Sequence, residues 1–278
     1  MLRWSGYSLD LDQRTHVMGI LNVTPDSFSD GGRYLDPDRA VEHGLKMAHD
    51  GADIIDVGGE STRPYSLRIS GTEEMDRVIP VIEALKKEIA IPISIDTYKS
   101  DVAREALRAG ASIINDISAL RFDSHMAYVA AGAGVPVILM HMKGRPENMQ
   151  EAPVYGDVVR EIESFLRDAA DRAVEAGISR DLIILDPGIG FGKTFADNLK
   201  ILKSFSRFSQ LGMPILLGTS NKAFIGDVLG KGPDEREIGT AATIAWGVMC
   251  GAHIVRVHNV KIARDTVMMV DAIKRERL

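Results

Sequence analysis

The chain has 278 residues, of which 45% are hydrophobic and 26% are charged, a composition that is ordinary for a globular domain. Its 33 basic and 39 acidic residues give a formal net charge of −6, which argues against broad binding to nucleic acid or to an anionic membrane. The single cysteine, Cys250, excludes an internal disulfide and a thiolate metal cage. No apolar run approaches the roughly 20 residues that span a bilayer. Because Met1–Leu11 also lacks the apolar core of a signal peptide, we expect a cytoplasmic protein.

Eight short apolar runs recur along the chain, and most of them end abruptly at a polar or charged residue. In chain order they are His16–Leu21, Ile54–Ile55, Ile91–Ile95, Ile113–Ile114, Val135–Met140, Leu182–Leu185, Ile215–Leu217 and Ile254–Val257. Such runs are typical of parallel strands that are covered on both faces.

Segments with helical periodicity and recognisable ends separate these runs. They are Asp36–Asp50, Glu73–Ala90, Ser100–Ala109, Ser124–Ala131, Asp157–Ala176, Asp197–Phe208, Ile238–Cys250 and Ala263–Arg277. We predict Thr72 and Ser100 as N-caps and Gly110 and Gly132 as stop residues. The alternation predicts a (β/α)8 TIM barrel that spans residues 1–278 as a single domain, with its chemistry at the C-terminal ends of the strands.

Three predicted strands end in hydrogen-bonding side chains, Asp96, Asn115 and Asp186. In a barrel these side chains meet at one mouth, where carboxylate and amide groups suit a flat heterocycle with several N–H donors and ring acceptors. For any one of the three residues, simple solvation of the barrel rim is the alternative. The coincidence of all three favours a binding site.

Basic residues follow the last two predicted strands, namely Lys222, Arg256 and His258, and Arg63 lies on the loop after the second strand. Basic groups in this part of a TIM barrel commonly hold phosphate, and arginine suits bidentate contact with phosphate oxygens. Arg63 alone could be a solvated loop charge, and His258 alone could be a structural histidine. The spacing Arg-Val-His turns Arg256 and His258 toward the same face of their strand.

Two loops have unusual composition. The run Asp186–Thr194 is rich in glycine but lacks the spacing of a nucleotide-binding phosphate loop, so we expect its glycines to turn sharply beside a ligand with Phe191 as a pocket wall. The first loop begins at Asn22, whose carbonyl is a suitable ligand for Mg²⁺ held jointly with substrate phosphates. Asp30, on the same loop, could face a developing cation.

Several motifs, in order over nearly the whole chain, resemble those of the dihydropteroate synthase family. They are Met18–Gly32 (MGILNVTPDSFSDGG), Asp56–Pro64 (DVGGESTRP), Ser94–Asp96, Asn115–Asp116, Met140–Gly144, Asp186–Lys193, Ser220–Gly226 and Arg256–His258. The resemblance implies a transferase that joins 6-hydroxymethyl-7,8-dihydropterin diphosphate to 4-aminobenzoate, releasing diphosphate, and that is a sulfonamide target. It also implies a homodimer formed through barrel helices.

The resemblance assigns expected roles to individual positions. The pterin would be bound by Asp96, Asn115, Asp186 and Lys222, and the diphosphate would be held by Thr62, Arg63, Arg256 and His258. Mg²⁺ would be ligated by Asn22, and the aminobenzoate site would form with help from Phe28 and Pro64. The substrate-binding set would be completed by Met140, Phe191 and Gly218. Departure of diphosphate before attack by the amine is a reasonable SN1-like course. We expect Asp30, Arg63 and Lys222 to be the catalytic residues.

The chain departs from the family pattern at two positions. Asn221 and Ala223 stand where the family commonly has arginine and serine, and that serine helps to bind the aminobenzoate carboxylate. The change predicts an altered arylamine affinity or sulfonamide sensitivity. Two alternative functions remain: a pterin-binding methyltransferase-type domain that serves a corrinoid partner, and a pterin-binding barrel without turnover.

Overall fold

The computed structural model describes residues 1–24 and 36–276. Within these ranges an antiparallel hairpin, β1 (Leu2–Trp4) and β2 (Tyr7–Leu9), precedes eight parallel strands. The parallel strands are β3 (His16–Asn22), β4 (Ile54–Gly58), β5 (Ile93–Asp96), β6 (Ile113–Asp116), β7 (Val137–Met140), β8 (Ile183–Asp186), β9 (Leu216–Leu217) and β10 (Ile254–Val257).

The parallel strands follow one another around a barrel. Their order is β8-β7-β6-β5-β4-β3-β10-β9, and a parallel bridge between Leu185 and Ile215 joins the two ends of this order. The Leu185 N–H also donates to the Pro214 carbonyl at 2.9 Å. The predicted (β/α)8 architecture is confirmed.

Helices cover the outside of the barrel. They are α1 (Pro37–His49), α2 (Gly71–Glu88), α3 (Ser100–Ala109), α4 (Met126–Ala133), α5 (Val158–Glu175), α6 (Phe195–Lys203), α7 (Ala223–Leu229), α8 (Glu237–Met249) and α9 (Val260–Arg275). The short helix α7 and the N-terminal hairpin were not predicted. No helix of the described ranges is long and apolar enough to cross a membrane.

Three predicted helix ends were wrong. Helix α2 is capped by Ser70, whose hydroxyl accepts the Glu73 N–H at 3.1 Å, and not by Thr72. Ser100 is the first residue of α3, and its neighbour Lys99 occupies the N-cap without a side-chain bond. Helix α4 continues past Gly132 to Ala133 and is capped by Gly134, which adopts a left-handed φ of 61°, a conformation that costs glycine little.

The C-terminal ends of the parallel strands, where their polar residues lie, meet at one end of the barrel, and their N-terminal ends meet at the other. Asp96, Asp116 and Asp186 are the last residues of β5, β6 and β8, so they lie at the C-terminal mouth. The hairpin lies at the opposite base, where β1 packs against the 3-10 turn that precedes β8. Its Leu2 and Trp4 side chains are buried in the main core.

Candidate active site

A buried ion network occupies the centre of the mouth. Arg256, on β10, donates from Nε to Asp56 Oδ2 and from Nη2 to Asp96 Oδ2, both at 2.6 Å. Asn115 donates its amide N–H to the same Asp56 oxygen at 2.9 Å. The other Asp56 oxygen, Oδ1, is buried and has no hydrogen-bond partner within the described part of the chain. This network ties four strands together and leaves one buried carboxylate oxygen unpaired, which calls for an explanation.

Burial and ion pairing shift the pKa values of this network. Burial raises the pKa of Asp96 to about 7, although Arg256 opposes the shift. Burial alone would lower the pKa of Arg256, but Asp56 and Asp96 together raise it above its usual value. Arg256 is therefore a permanent cation, whereas Asp96 titrates near neutrality.

A second charged pair lies on the neighbouring strand ends. Asp186 Oδ1 accepts the Gly188 N–H at 2.7 Å, and burial raises the pKa of Asp186 to about 6. Burial, with the nearby charge of Arg256, lowers the pKa of Lys222 to about 8. The Lys222 ammonium lies 4.0 Å from the centroid of the Phe191 ring, a cation–π contact that fixes its direction.

One wall of the mouth is apolar. Its residues form a cluster separate from the main core: Tyr98, Ile117, Met140, Met142, Met149 and Phe191, with Phe122 packed against them. Aromatic and thioether side chains beside convergent carboxylates and an ammonium are typical of a pocket for a flat, polar-edged ring. The predicted pocket residues Met140 and Phe191 therefore lie together with the predicted pterin ligands.

His258 is held in one orientation by Ser220. The Ser220 hydroxyl accepts the His258 backbone N–H at 3.2 Å and lies 2.9 Å from the His258 ring atom Nδ1. We assign the Ser220 hydroxyl as the donor to Nδ1, which leaves the ring proton on Nε2. Burial, reinforced by Arg256 and Lys222, lowers the pKa of His258 to about 4. The imidazole is therefore a neutral donor at neutral pH.

The loop after β4 carries Thr62, Arg63 and Pro64 near this cluster. The charge of Arg63 contributes to the lowered pKa of His258, which places the arginine on the same side of the mouth, and its side chain is exposed. The loop is tied to the loop after β7, because the Tyr65 N–H donates to the Pro146 carbonyl at 3.0 Å. An ion pair between Arg68 and Glu147 adds to this connection.

Asn22 and Gly218 lie at the ends of β3 and β9, as expected from the sequence. Asn22 is half-buried and pairs with Gly58 in the sheet. A Cβ at Gly218 would come 3.9 Å from the Arg256 Cβ, which is ordinary contact, so crowding does not explain this glycine. Phe28 and Asp30 lie outside the described residues.

The donor set near Asn22 fits a metal only in combination with substrate. No group of three or more acidic, histidine or cysteine side chains that could hold a metal is present in residues 1–24 and 36–276. A single amide oxygen is a hard ligand of the kind that Mg²⁺ accepts, and Mg²⁺ keeps several waters and shares phosphate oxygens. The residues therefore fit a Mg²⁺ ion that arrives with a diphosphate.

Sequence reasoning missed four buried residues of the mouth. Asp56 ends the apolar run Ile54–Ile55 and was the available signal for the central acceptor. Asp116 accepts the Ser118 and Leu120 N–H groups at 2.7 and 2.9 Å and so holds the loop after β6. Lys193 and His141 contact each other in the glycine-rich region, and nothing in the sequence pattern indicated that this lysine is buried.

The geometry agrees with comparison to known proteins. A family model described as "Pterin binding enzyme" matches residues 18–258. A dihydropteroate synthase of Bacillus subtilis is 53% identical over 265 residues, covering 95% of this chain and 90% of that protein. The chain belongs to the dihydropteroate synthase family. It is therefore an enzyme of the transferase class.

Solved structures of dihydropteroate synthases have the same fold. One from Yersinia pestis, in complex with a sulfonamide drug, has a TM-score of 0.93 and 44% identity, covering 99% of this chain and 98% of that one. One from Xanthomonas albilineans, in complex with 7,8-dihydropteroate, has a TM-score of 0.87 and 43% identity, covering 96% of this chain and 95% of that one.

The two departures from the family pattern flank Lys222. Asn221 has a left-handed φ of 57°, which asparagine tolerates better than most residues. Its carbonyl accepts from Arg236 Nη1 at 3.0 Å, and its N–H donates to Thr240 Oγ1 at 3.2 Å. Ala223 is exposed and begins α7. The backbone at Asn221 is therefore held firmly, whereas Ala223 offers no side-chain donor.

Proposed function

We propose that this transferase condenses 6-hydroxymethyl-7,8-dihydropterin diphosphate with 4-aminobenzoate, giving 7,8-dihydropteroate and diphosphate in folate synthesis. The observation that supports it most strongly is the convergence of Asp56, Asp96, Asn115 and Arg256 with Asp186 and Lys222 beside one apolar wall. This set pairs buried acceptors and a donor with the alternating donors and acceptors of a pterin ring.

The buried carboxylates accept hydrogen bonds from the edge of the pterin ring. A carboxylate can accept two hydrogen bonds from the adjacent N–H groups of the ring, and Asp186 is already oriented by Gly188. Asp56 Oδ1 supplies a further acceptor. Lys222 donates to a ring acceptor while Phe191 and Met140 contact the ring faces. Burial makes these hydrogen bonds stronger than they would be in water.

The diphosphate lies toward the last strands and the loop after β4. Arg63 supplies an exposed guanidinium, Thr62 a hydroxyl, and His258 a neutral Nε2–H donor oriented by Ser220. Arg256 lies between these groups and the carboxylates, so it both orders Asp56 and Asp96 and adds positive charge near the leaving group. Asn22 would ligate Mg²⁺, which when bound neutralises part of the diphosphate charge.

The reaction follows an SN1-like course. The C–O bond to diphosphate breaks first, and the electron-rich dihydropterin delocalises the positive charge left on the methylene. Arg63, His258 and Arg256 stabilise the departing anion through preorganised donors. The weakly basic aryl amine then attacks the methylene, forms the C–N bond and loses a proton. Phe28 and Asp30 remain predictions: Asp30 would stabilise the cation, and Phe28 with Pro64 would shelter it from water.

Diphosphate release tests the proposal. Purified protein is incubated with 6-hydroxymethyl-7,8-dihydropterin diphosphate and Mg²⁺, with and without 4-aminobenzoate, and diphosphate and dihydropteroate are quantified. We expect equal amounts of both products only when aminobenzoate is present. If the protein binds the pterin but forms no dihydropteroate, it is a pterin-binding barrel without turnover. If it binds the pterin equally well with and without the diphosphate group, the methyltransferase-type alternative is favoured.

We also propose that two copies of the chain form a homodimer through α8 and α9, in the cytoplasm. Ile238 and Trp246 on α8 are 76% and 51% exposed, and Met269 on α9 is 63% exposed. Large apolar side chains on adjacent helices are costly in water and favour a self-complementary interface. Sedimentation analysis should give a dimer, and Met269→Lys should give a folded monomer. A monomeric wild type would refute the dimer.

A further inference from the structure

Lys193 is a buried lysine that the proposed chemistry does not use, and burial lowers the pKa of its side chain to about 7. It follows the glycine-rich loop 186–192, and its side chain is only 2% exposed. Its ammonium lies 2.7 Å from the Gly188 carbonyl oxygen, 2.9 Å from that of Phe191 and 3.2 Å from that of His141. His141 Nδ1 lies 3.0 Å away. Among the described residues no carboxylate pairs with this ammonium, so its partners are backbone oxygens and one ring nitrogen.

These contacts join the loop after β8 to the end of β7. The two backbones approach so closely that a Cβ on Gly188 would lie 2.0 Å from the His141 carbonyl oxygen. A Cβ on Gly192 would lie 2.3 Å from the Lys143 carbonyl oxygen. A buried carbonyl oxygen without a hydrogen-bond donor is costly. Lys193 donates to three such oxygens at this junction, those of His141, Gly188 and Phe191.

The other polar groups of the loop have neutral partners. Gln150 donates to the Gly190 carbonyl at 2.8 Å, and Tyr155 donates to the Gly192 carbonyl at 2.6 Å. The Gly190 N–H donates to Asn198 at 2.7 Å. Lys193 differs from these partners because one side-chain nitrogen donates to several backbone carbonyls, among them those of Gly188 and Phe191.

Each of those two residues orients a pocket side chain. The Gly188 N–H donates to Asp186, and the Phe191 ring lies beneath the Lys222 ammonium. We propose that Lys193 is a positioning residue for pterin recognition, which acts through the Gly188 and Phe191 carbonyls to set the directions of Asp186 and Lys222. The inference rests on the proposed function, since it names the ring that this half of the site receives.

The test compares two ligands that use different halves of the mouth. In the full-length protein, Lys193→Met keeps the length and removes the charge. Calorimetric titration measures 6-hydroxymethylpterin, an unreactive pterin, and inorganic diphosphate with Mg²⁺. Tyr155→Phe, which removes a neutral hydrogen bond from the same loop, is the matched control.

We expect Lys193→Met to weaken pterin binding about tenfold or more, because the hydrogen bonds from Lys193 to three backbone carbonyls are lost. Diphosphate affinity should stay within about twofold, and Tyr155→Phe should change either affinity by no more than about twofold. If Lys193→Met does not fold, Lys193→Gln, which keeps two N–H donors on a shorter side chain, should show the same selective loss of pterin affinity.

Two results would overturn the positioning role. Pterin affinity equal to that of the wild type would show that the ammonium does not orient the pocket. If Lys193→Met weakened the binding of pterin and of diphosphate equally, Lys193 would support the mouth as a whole and would not position the pterin ligands specifically. Product formation by the wild type is measured in parallel, so a wild type that binds pterin without making dihydropteroate refutes the proposed function and leaves the binding comparison for Lys193 intact.

Discussion

At the base of the barrel, Asp53 accepts several hydrogen bonds, whereas at the mouth Asp96 and Asp186 each accept one from the described residues. Arg14 contacts both Asp53 oxygens at 2.6 and 2.9 Å, and the Val17 N–H donates to Oδ2 at 2.8 Å. Although burial raises the pKa of Asp53, polar contacts from His16 and Arg14 hold it well below its usual range. At the mouth, burial raises the pKa of Asp96 to about 7 and that of Asp186 to about 6.

The carboxyl groups at the two ends of the barrel have opposite pKa shifts, so they contribute to the stability of the fold in opposite ways. A carboxylate with a lowered pKa stabilises the native state once it is ionised, and one with a raised pKa destabilises it. In the function that we propose, donors on the pterin offset this cost at the mouth, in keeping with the catalytic use of the C-terminal face of such barrels. The base has no such task, and its charges are satisfied within the protein.

Removing the mouth's ammonium should give the largest effect on activity. We expect Lys222→Met to lower kcat/KM for the pterin diphosphate by about 10²–10³-fold, since a buried charge-assisted donor to the ring is lost. The free energy of unfolding should be unchanged or higher, because burial already lowers the pKa of Lys222. Steady-state kinetics and urea unfolding measure both, with exposed Lys231→Met as control. If Lys222→Met lowered the free energy of unfolding but kept its activity, Lys222 would serve stability and not function, contrary to this comparison.

Removing the carboxylate of the base should do the opposite. Asp53→Asn should lower the free energy of unfolding by about 2–3 kcal/mol near pH 7, because Arg14 and Arg264 lose their partner in a mostly buried site. Product formation by the folded fraction should be unchanged. Exposed Asp12→Asn is the control and should cost little. Loss of activity without loss of stability would contradict the structural role.

The two ends should also respond to pH with opposite signs. Between pH 4 and 6 the native state binds more protons at Asp186 than the unfolded chain does, so the contribution of this group to stability falls as pH rises. Asp186→Asn should therefore become more stable than the wild type across this window, by up to about 3 kcal/mol above pH 6. For Asp53 the contribution is present above its unfolded pKa and is lost as pH falls below about 4.

Urea unfolding of Asp186→Asn and Asp53→Asn at several pH values measures these differences. A stability difference for Asp186→Asn that stays constant from pH 4 to pH 7 would show that its carboxyl is not perturbed by burial.

Removing the orientation of His258 should have a moderate effect. Ser220→Ala removes the donor to Nδ1 and lets the ring proton move away from Nε2. We expect kcat/KM for the pterin diphosphate to fall about fivefold, the cost of about one neutral hydrogen bond, with aminobenzoate KM unchanged. Exposed Ser209→Ala serves as control. If inorganic diphosphate inhibited Ser220→Ala as strongly as the wild type, this would argue against the proposal that Ser220 fixes the His258 tautomer for diphosphate binding.

The smallest effect is expected at the arylamine side. Ala223→Ser supplies the hydroxyl that the family pattern has and this chain lacks, and aminobenzoate KM should fall by about two- to fivefold. Sulfonamide inhibition should strengthen in parallel, while pterin affinity stays constant. If aminobenzoate and sulfonamide affinities are typical of the family and insensitive to this change, the departure at Ala223 has no functional consequence.

The barrel could be predicted from the sequence because each strand is a short apolar run, most of which end in a polar residue. The meeting of the candidate pterin ligands at one mouth could be predicted for the same reason, whereas their role stays a prediction. The base could not be predicted in the same way. Asp53 precedes its strand among ordinary loop residues, and its partners Arg14 and Arg264 come from distant segments. Lys193 was missed because a lysine after several glycines reads as an exposed loop residue.

Products formed at the mouth test the account most directly. Wild type and Asp186→Asn are compared side by side with pterin diphosphate, 4-aminobenzoate and Mg²⁺, and dihydropteroate and diphosphate are counted in the same reaction. We expect equal amounts of both products from the wild type, and a rate lower by about 10²-fold or more from Asp186→Asn, which should be folded and at least as stable. A wild type without dihydropteroate, or an Asp186→Asn variant with full activity, would contradict it.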